Sequence, residues 1–303
     1  MNDTKRGARR RGIERALAML CLAVAGPAAP ADEPAIAIPR AEGIEIDGAL
    51  EDWRNQGTRV ELLIPPDGDA RPVASFDARM RVAWDDRGLL LAFRVRDDTW
   101  VEHVQPRRIW KGDGICLFCA PRRGAPGLVQ YMIAPGMSAE QPDLRWHIYD
   151  PERALGAQKP AALTAARRKT DGGYTAEVRV PWAAFGVESP KRGRAVGLQV
   201  VVNDADSPQV NDQKGEGRLF VPYSGLWYPG ARTSVRPDHM HALRLSDAPA
   251  PPVTARVQVR DVGRGTAHVR VYARASEAGT SVSIVDGERR IVAGRLQRGR
   301  GGR

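Results

Sequence analysis

The stretch that most constrains the fold is residues 172–186, which read GGYTAEVRVPWAAFG. Apolar and polar residues alternate from Tyr174 to Val180, and this alternation predicts a half-buried β-strand. Pro181 has no N–H to donate, so strand pairing should stop there. Trp182 and Phe185 are three residues apart, which suits one helical turn that packs on the sheet and is closed by the glycine that follows. This combination favours an antiparallel β protein over a nucleotide-binding α/β fold.

The same alternation recurs along the chain, with turn signals about every ten residues. No stretch after residue 31 keeps a long helical period. We therefore predict an all-β fold, an antiparallel β-sandwich or jelly roll with a few single-turn helices. The predicted strands are residues 44–46, 60–64, 79–84, 89–97, 114–120, 129–134, 146–149, 163–168, 174–180, 197–203 and 241–245, and the predicted single turns are 50–53 and 182–185.

The net charge of +10 is concentrated at the two ends of the chain. Residues 1–31 contain six Lys or Arg and two acidic residues, and residues 251–303 contain eleven Arg and four acidic residues. The intervening residues 32–250 therefore carry a net charge of only −1. Because this distribution implies no basic face on a folded domain, we do not expect a nucleic-acid partner.

Residues 1–31 have the three parts of a secretory signal peptide. Basic residues come first, the apolar run Ala16–Ala25 follows, and Ala29-Pro30-Ala31 offers a small-residue cleavage site. The apolar run is too short to span a bilayer as a helix. We predict cleavage after Ala31 and a secreted or periplasmic protein with no segment inserted in a membrane.

Composition divides the chain that follows the signal peptide. Residues 36–247 form the predicted β-sandwich, and the proline-rich residues 248–253 form the predicted linker. Residues 254–288 alternate like short strands and are either a small module or part of an incomplete domain. Residues 289–303 are rich in Gly and Arg, which predicts a disordered basic tail.

Cys116 and Cys119 form a Cys-x-x-Cys pair, a pattern shared by redox sites and zinc sites. They lie in the alternating stretch Gly114–Ala120, where positions three apart on a strand point to opposite faces. We therefore predict two small apolar strand residues that neither bond each other nor share a metal ion.

Several short motifs follow one another in order within residues 36–247. They are Ile46-Asp47-Gly48 with Asp52-Trp53, Val82-Ala83-Trp84-Asp85-Asp86 with residues 89–97, Trp110-Lys111-Gly112-Asp113, residues 172–182, and residues 197–204. In this order they resemble carbohydrate-binding module family 9, one of the DOMON-like β-sandwiches. The resemblance implies a secreted, non-catalytic module that binds carbohydrate, often beside a glycoside hydrolase and often with structural calcium.

The resemblance also implies a sugar held between two aromatic rings. A pyranose packs its C–H face on an indole and needs polar partners around its rim. Trp110 stands where the first ring is expected, and Trp227 and Tyr228 are the large aromatics available for the second. Asp113 lies beside Trp110. These four residues are the predicted carbohydrate-binding site.

Three positions depart from the family pattern, because Cys116, Met132 and Val201 replace a carboxylate, a guanidinium and an amide. Two alternatives therefore stay open. A structural envelope module would bind no small ligand. A DOMON-like haem domain would use Met132 and an opposite histidine as axial ligands. The histidines available for that role are His147, His239 and His241.

No arrangement of residues typical of an active site is found, so we do not predict an enzyme. His239-x-His241 alone is too small a set for a metal centre, and we assign no metal site. Asn203-Asp204-Ala205-Asp206, with Asn211-Asp212 downstream, offers the oxygen ligands that calcium takes, although a solvated turn fits the same residues. Positions in a strand, or in a single turn that packs on the sheet, predict a core role for Trp53, Trp84 and Trp182.

Overall fold

The computed structural model describes residues 35–60, 74–125, 128–149, 162–207, 220–223 and 240–248, together with four strands between residues 256 and 295. None of the helical segments in these ranges is long and apolar enough to cross a membrane. The strands are β1 (Ala35–Pro39), β2 (Thr58–Val60), β3 (Phe76–Trp84), β4 (Gly88–Asp97), β5 (Gly114–Ala120), β6 (Val129–Ala134), β7 (Arg145–Tyr149), β8 (Thr164–Thr170), β9 (Gly173–Pro181), β10 (Ala195–Ala205), β11 (Phe220–Tyr223), β12 (His241–Ser246), β13 (Arg256–Gly263), β14 (Thr266–Tyr272), β15 (Ser281–Asp286) and β16 (Arg289–Arg295).

Two sheets form the main body. The first has the order β1-β12-β10-β5-β6-β7, with β11 also paired to β10, and the second has the order β2-β3-β4-β9-β8. Among these described strands, every pairing is antiparallel except that of β1 with β12. Apolar side chains from both sheets form one buried cluster, so the sheets stack face to face. The predicted all-β sandwich is confirmed.

β9 and the turn that follows it have the predicted structure. The strand ends at Pro181, and the 3₁₀ turn Trp182–Phe185 follows, closed by Gly186 at a φ of 60°. The indole Nε1 of Trp182 donates a hydrogen bond of 2.8 Å to the carbonyl of Asp85, in the turn between β3 and β4. This contact fixes the Trp182 ring at one end of the core. The predicted core roles of the tryptophans are also confirmed, because Trp53, Trp84 and Trp182 are buried.

The expectation that β9 is only half-buried is wrong, because both of its faces are covered. The chain from Ala41 to Trp53 lies over the outer face of the second sheet, where apolar side chains form a separate cluster. The polar side chains of that face are buried and bonded to the covering chain. The hydroxyl of Thr175 donates a hydrogen bond of 2.6 Å to the carbonyl of Gly48. The guanidinium of Arg179 donates a hydrogen bond of 3.0 Å to the carbonyl of Ile44.

Residues 51–55 form hydrogen-bonded turns, where the sequence predicted one helical turn at 50–53. Side-chain contacts favour this geometry, because the Asp52 carboxylate accepts the N–H of Glu45 at 2.8 Å. The amide of Gln56 also donates to the carbonyls of Glu42 and Asp52 at 3.0 and 3.2 Å.

The predicted strand 60–64 is present only as the end of β2, since residues 61–73 lie outside the described ranges. In the segment 289–303, for which composition predicted disorder, Arg289–Arg295 instead pairs with β15 as β16. The β-branched pair Ile291-Val292 favours a strand there. The boundaries proposed for the linker and the C-terminal segment stay predictions.

Candidate functional site

The outer face of the first sheet carries the residues on which the predicted site depends. The register places Val201, Cys116, Met132 and His147 in one row across β10, β5, β6 and β7. Because directly paired residues share a face of a sheet, these four side chains are neighbours. Val201, Cys116 and Met132 are the three positions that depart from the family pattern.

The middle of this face is a second hydrophobic cluster, which we call the outer cluster. Met132 is fully buried, and Cys116 is 4% exposed. Such a surface offers no hydrogen-bonding partners to the hydroxyls of a sugar. The outer cluster consists of Ile109, Cys116, Phe118, Ala120, Met132, Ala134 and Met240, with Trp110, Leu128 and Val201 packed against it.

The two cysteines confirm the strand prediction. Cys116 belongs to the outer cluster and Cys119 to the core between the sheets, so their side chains lie on opposite faces of β5. Both are buried free thiols. Burial raises the pKa of Cys116 to about 12, so this thiol stays protonated at neutral pH.

Trp110 lies in a short 3₁₀ turn, Pro106–Lys111, that contacts β5, β6, β7 and β10. Pro106 suits the first position of a helical turn, because its missing N–H would have no partner there. Gly112 ends the turn, and a Cβ at this position would lie 2.4 Å from the carbonyl oxygen of Val101. Only glycine allows so close an approach, which fixes the loop after β4 against the turn.

The Trp110 indole is half-buried and packs on the outer cluster. The Asn203 side chain donates a hydrogen bond of 2.9 Å to the main-chain carbonyl of Trp110 and so holds the turn on β10. The ammonium nitrogen of Lys111 lies 5.4 Å from the centroid of the Trp110 ring, within the range of a cation–π contact. Trp227 and Tyr228 lie outside the described residues, so the two-ring arrangement stays a prediction.

Asp113 is buried, with 2% of its surface exposed. Its Oδ2 accepts the N–H of Val101 and its Oδ1 accepts the N–H of Ala205, both at 2.6 Å. Burial raises the pKa of Asp113 well above its usual value, and the carboxylates of Asp97 and Asp204 add to the effect. Because Asp113 joins the loop after β4 to the end of β10 beneath the surface, the geometry supports a positioning role. Its predicted contact with sugar is not supported.

Three carboxylates meet where β4 and β10 end. One oxygen each of Asp97, Asp204 and Asp206 lies within 4.8 Å of the other two. Asp97 and Asp204 are buried, and Asp206 is exposed. Hard carboxylate oxygens grouped in this way fit calcium, the metal that the family resemblance implies. The sequence indicated Asp204 and Asp206, but it gave no signal for Asp97, which the pairing of distant strands brings to the site. Asn211 and Asp212 lie outside the described residues.

The described histidines do not fit the haem alternative. His147 is paired directly with Met132 in the neighbouring strand, and neighbouring strands are only about 4.8 Å apart. Both side chains therefore approach from the same side and cannot flank a porphyrin. His241 is paired with Leu198, whose side chain belongs to the core between the sheets, so it faces away from Met132. His239 lies outside the described residues.

A group of basic side chains lies on the Trp110 turn and beside it, and we call this group the basic rim. They come from the Trp110 turn, from the loop before it and from β7. Burial and the positive charges of Arg108 and Lys111 lower the pKa of His103, while burial and Arg107 lower that of His147. These interactions show that the groups lie close together. The basic rim consists of His103, Arg107, Arg108, Lys111, Arg145 and His147.

Among the described residues, the acidic side chain of Glu102 contacts the basic rim directly. Its Oε2 accepts a hydrogen bond from Arg145 at 3.1 Å, and its Oε1 accepts the N–H of Met137 at 2.5 Å. The Glu102 side chain is fully buried, and this burial raises its pKa. The Glu102 carboxylate is therefore engaged with Arg145 and with the Met137 N–H inside the protein. The sequence missed the basic rim because the summed charge of residues 32–250 conceals a local grouping.

The chain matches the family model described as "Carbohydrate family 9 binding domain-like" over residues 46–216. A family 9 carbohydrate-binding module from Caldicellulosiruptor kristjanssonii in complex with cellotriose has a TM-score of 0.53 and 15% identity, covering 71% of this chain and 95% of that one. A module of the same family and organism in complex with glucose has a TM-score of 0.51 and 16% identity, covering 71% and 97%. Among curated proteins, none matches the chain. At these identities the structural likeness concerns the fold.

Proposed function

Because the chain belongs to the carbohydrate family 9 binding domain-like family, we propose that it is a non-catalytic carbohydrate-binding module. The observation that carries the proposal is the Trp110 indole, which is half-buried and held on the outer face of the first sheet by Asn203. A fixed aromatic ring of this kind suits the C–H face of a pyranose. Binding requires the Lys111 ammonium to make room or the sugar to approach the other side of the ring.

The proposal is tested by measuring glycan binding of Trp110→Ala, with Trp110→Phe as the matched control. We expect Trp110→Ala to lose about 2 kcal/mol of binding free energy, the size of effect found for a central aromatic contact. Trp110→Phe keeps an aromatic face and should retain most of the affinity. Thermal unfolding of both variants checks that the fold is intact. Unchanged binding by Trp110→Ala would show that the sugar does not stack on Trp110, and no glycan binding by the wild type would favour a structural module with no small ligand.

We also propose that Asp97, Asp204 and Asp206 hold a structural calcium ion. The support is the grouping of their carboxylate oxygens and the burial of two of them. Calcium there would neutralise neighbouring negative charges and join the ends of β4 and β10. It would have no part in a reaction.

We further propose that the protein acts outside the cytoplasm. The signal peptide pattern of residues 1–31 supports export to the periplasm or the medium, where a glycoside hydrolase is the expected partner. Mass spectrometry of the exported protein should find Asp32 as its first residue. A protein that keeps residues 1–31 and stays inside the cell would contradict this part.

A further inference from the structure

Tyr149 is an exposed aromatic residue on the same face of the first sheet as Trp110. It is 42% exposed and ends β7, which lies at one end of the strand order of that sheet. Its neighbours in the sequence fix its face, because Trp146 and Ile148 pack against the core between the sheets. Since side chains alternate along a strand, His147 and Tyr149 belong to the opposite, outer face. The Tyr149 ring is therefore available to a ligand from solvent.

Two polar side chains lie beside Tyr149 on the outer face. Gln130 on β6 is paired directly with Tyr149, and its side chain also forms a hydrogen bond with the Cys116 thiol of the outer cluster. His147 precedes Tyr149 by two residues on β7, and both polar residues are half-buried. Burial and the charge of Arg107 lower the pKa of His147, so its ring is neutral at pH 7. An amide and a neutral imidazole each donate and accept hydrogen bonds, as sugar hydroxyls do.

Exposure increases across the outer face from β10 to β7. In the row of Tyr149, Gln199 on β10 is fully buried and Phe118 on β5 is 8% exposed, whereas Gln130 on β6 is half-buried. The Trp110 turn contacts both β6 and β7. The open part of the face is therefore a strip along β6 and β7 that begins at the Trp110 turn and includes Tyr149.

The Trp110 turn and Tyr149 lie at different ends of this strip. Asn203 holds the turn, and the register places Asn203 in the same outer row as Arg145. Tyr149 is four residues beyond Arg145 on β7, which is about 13 Å of strand. That length exceeds one pyranose ring and suits a short chain of linked sugars.

We propose that Tyr149 is a second stacking platform and that the module binds a linear oligosaccharide chain along β6 and β7. This inference rests on the proposed function and names its substrate class. One sugar unit packs its C–H face on the Trp110 indole, and a later unit of the same chain packs on the Tyr149 ring. The hydroxyls between these units form hydrogen bonds with Gln130 and His147.

The experiment compares a single sugar with the linear chain made from it, by calorimetry on the purified full chain. The probes are glucose with cellohexaose, mannose with mannohexaose, and xylose with xylohexaose. We expect the hexasaccharide of at least one series to bind at least about tenfold more tightly than its monosaccharide, because the longer ligand gains a second aromatic contact. The series that shows this gain identifies the sugar recognised.

Two variants of Tyr149 separate the aromatic contact from the length of the ligand. A longer chain offers more sugar units to every variant alike, so this statistical advantage cancels when variants are compared on one ligand. We expect Tyr149→Ala to bind the hexasaccharide about tenfold more weakly than the wild type, and the monosaccharide within about twofold. Tyr149→Phe is the matched control, because it keeps an aromatic face and should retain most of the affinity. Thermal unfolding checks that both variants are folded.

Three results would overturn the inference and leave the proposed function intact. In the first, the wild type binds monosaccharide and hexasaccharide equally well. In the second, Tyr149→Ala binds the hexasaccharide as tightly as the wild type does. In the third, Tyr149→Ala loses the same affinity for both ligands, which would place Tyr149 in a site for one sugar unit. If the wild type binds none of the probes, the proposed function fails together with the inference.

Discussion

Glu177 is the residue that best shows how the second sheet is completed. Its carboxylate accepts the main-chain N–H groups of Asp47 and Gly48 at 3.0 and 2.8 Å and the indole Nε1 of Trp53 at 2.7 Å. Burial raises its pKa, and the three donors counteract this effect. A single buried acid thus attaches the segment before β2 to the centre of β9.

Replacing Glu177 with Gln should destabilise the protein. The amide oxygen can still accept hydrogen bonds, but the amide nitrogen would face an N–H donor, so at least one buried donor loses its partner. We expect a loss of about 1–3 kcal/mol in the free energy of unfolding, measured by urea denaturation. Glu188→Gln, at an exposed position, is the control and should leave stability unchanged. Equal stability of both variants would show that Glu177 does not hold this segment.

Gly48 combines two constraints that can be separated experimentally. Its φ is +86°, and a Cβ would lie 2.5 Å from the carbonyl carbon of Arg167 in β8. Gly193 has almost the same φ, +85°, but no atom within 4 Å of a Cβ. We expect Gly193→Ala to cost about 1 kcal/mol from backbone strain alone, and Gly48→Ala to cost at least about 2 kcal/mol. Thermal unfolding measures both, and equal costs would mean that β8 yields to the added methyl group.

At the scale of elements, the ends of β4 and β10 form the proposed calcium site. A metal that binds only the folded state raises stability, so calcium in excess of its dissociation constant should raise the melting temperature by at least about 5 °C over a chelated sample. Asp204→Asn should abolish this response, because Asp204 is the most buried of the three carboxylates. Glu188→Asn is a suitable exposed control. Identical melting curves of the wild type with and without chelator would exclude a structural role for calcium.

Most strands could be predicted from the sequence, because side chains on a strand alternate and the alternation is visible wherever one face is polar. The predicted strands 114–120 and 129–134 coincide with β5 and β6. The cover over the outer face of the second sheet could not be predicted. Thr175, Glu177 and Arg179 have the pattern of a solvated face, and only their bonds to Gly48, Trp53 and Ile44 show that they are buried.

The candidate site was less predictable than the strands. Trp110 could be identified from a motif, but the motif gave no information on the Lys111 ammonium over its ring. The buried position of Asp113 could not be predicted, because its partners, Val101 and Ala205, come from segments that only the fold brings together. The sign of the charge around Trp110 likewise depends on β7 lying beside the turn, a contact between distant parts of the chain.

At the scale of the whole molecule, charge and function are separated along the chain. The net positive charge lies in residues 1–31 and after residue 250, whereas the described residues of the proposed binding face lie between residues 101 and 240. Strands β13 to β16 form two hairpins, β13–β14 and β15–β16, that belong to neither sheet of the sandwich. The sandwich therefore has its pairing partners without the C-terminal segment.

Removing residues 249–303 should leave the sandwich folded and its glycan binding unchanged, because no strand of either sheet is lost. We expect the melting temperature to stay within about 2 °C and the affinity within about twofold of the full chain, by calorimetry and affinity electrophoresis. Removing residues 240–303 is the matched control. It also deletes β12, which lies between β1 and β10, and burial of Leu243 and Leu245 is lost with it. The longer deletion should therefore unfold the protein. If the shorter deletion unfolds it as well, the C-terminal strands are part of the sandwich domain and the proline-rich linker is not its boundary.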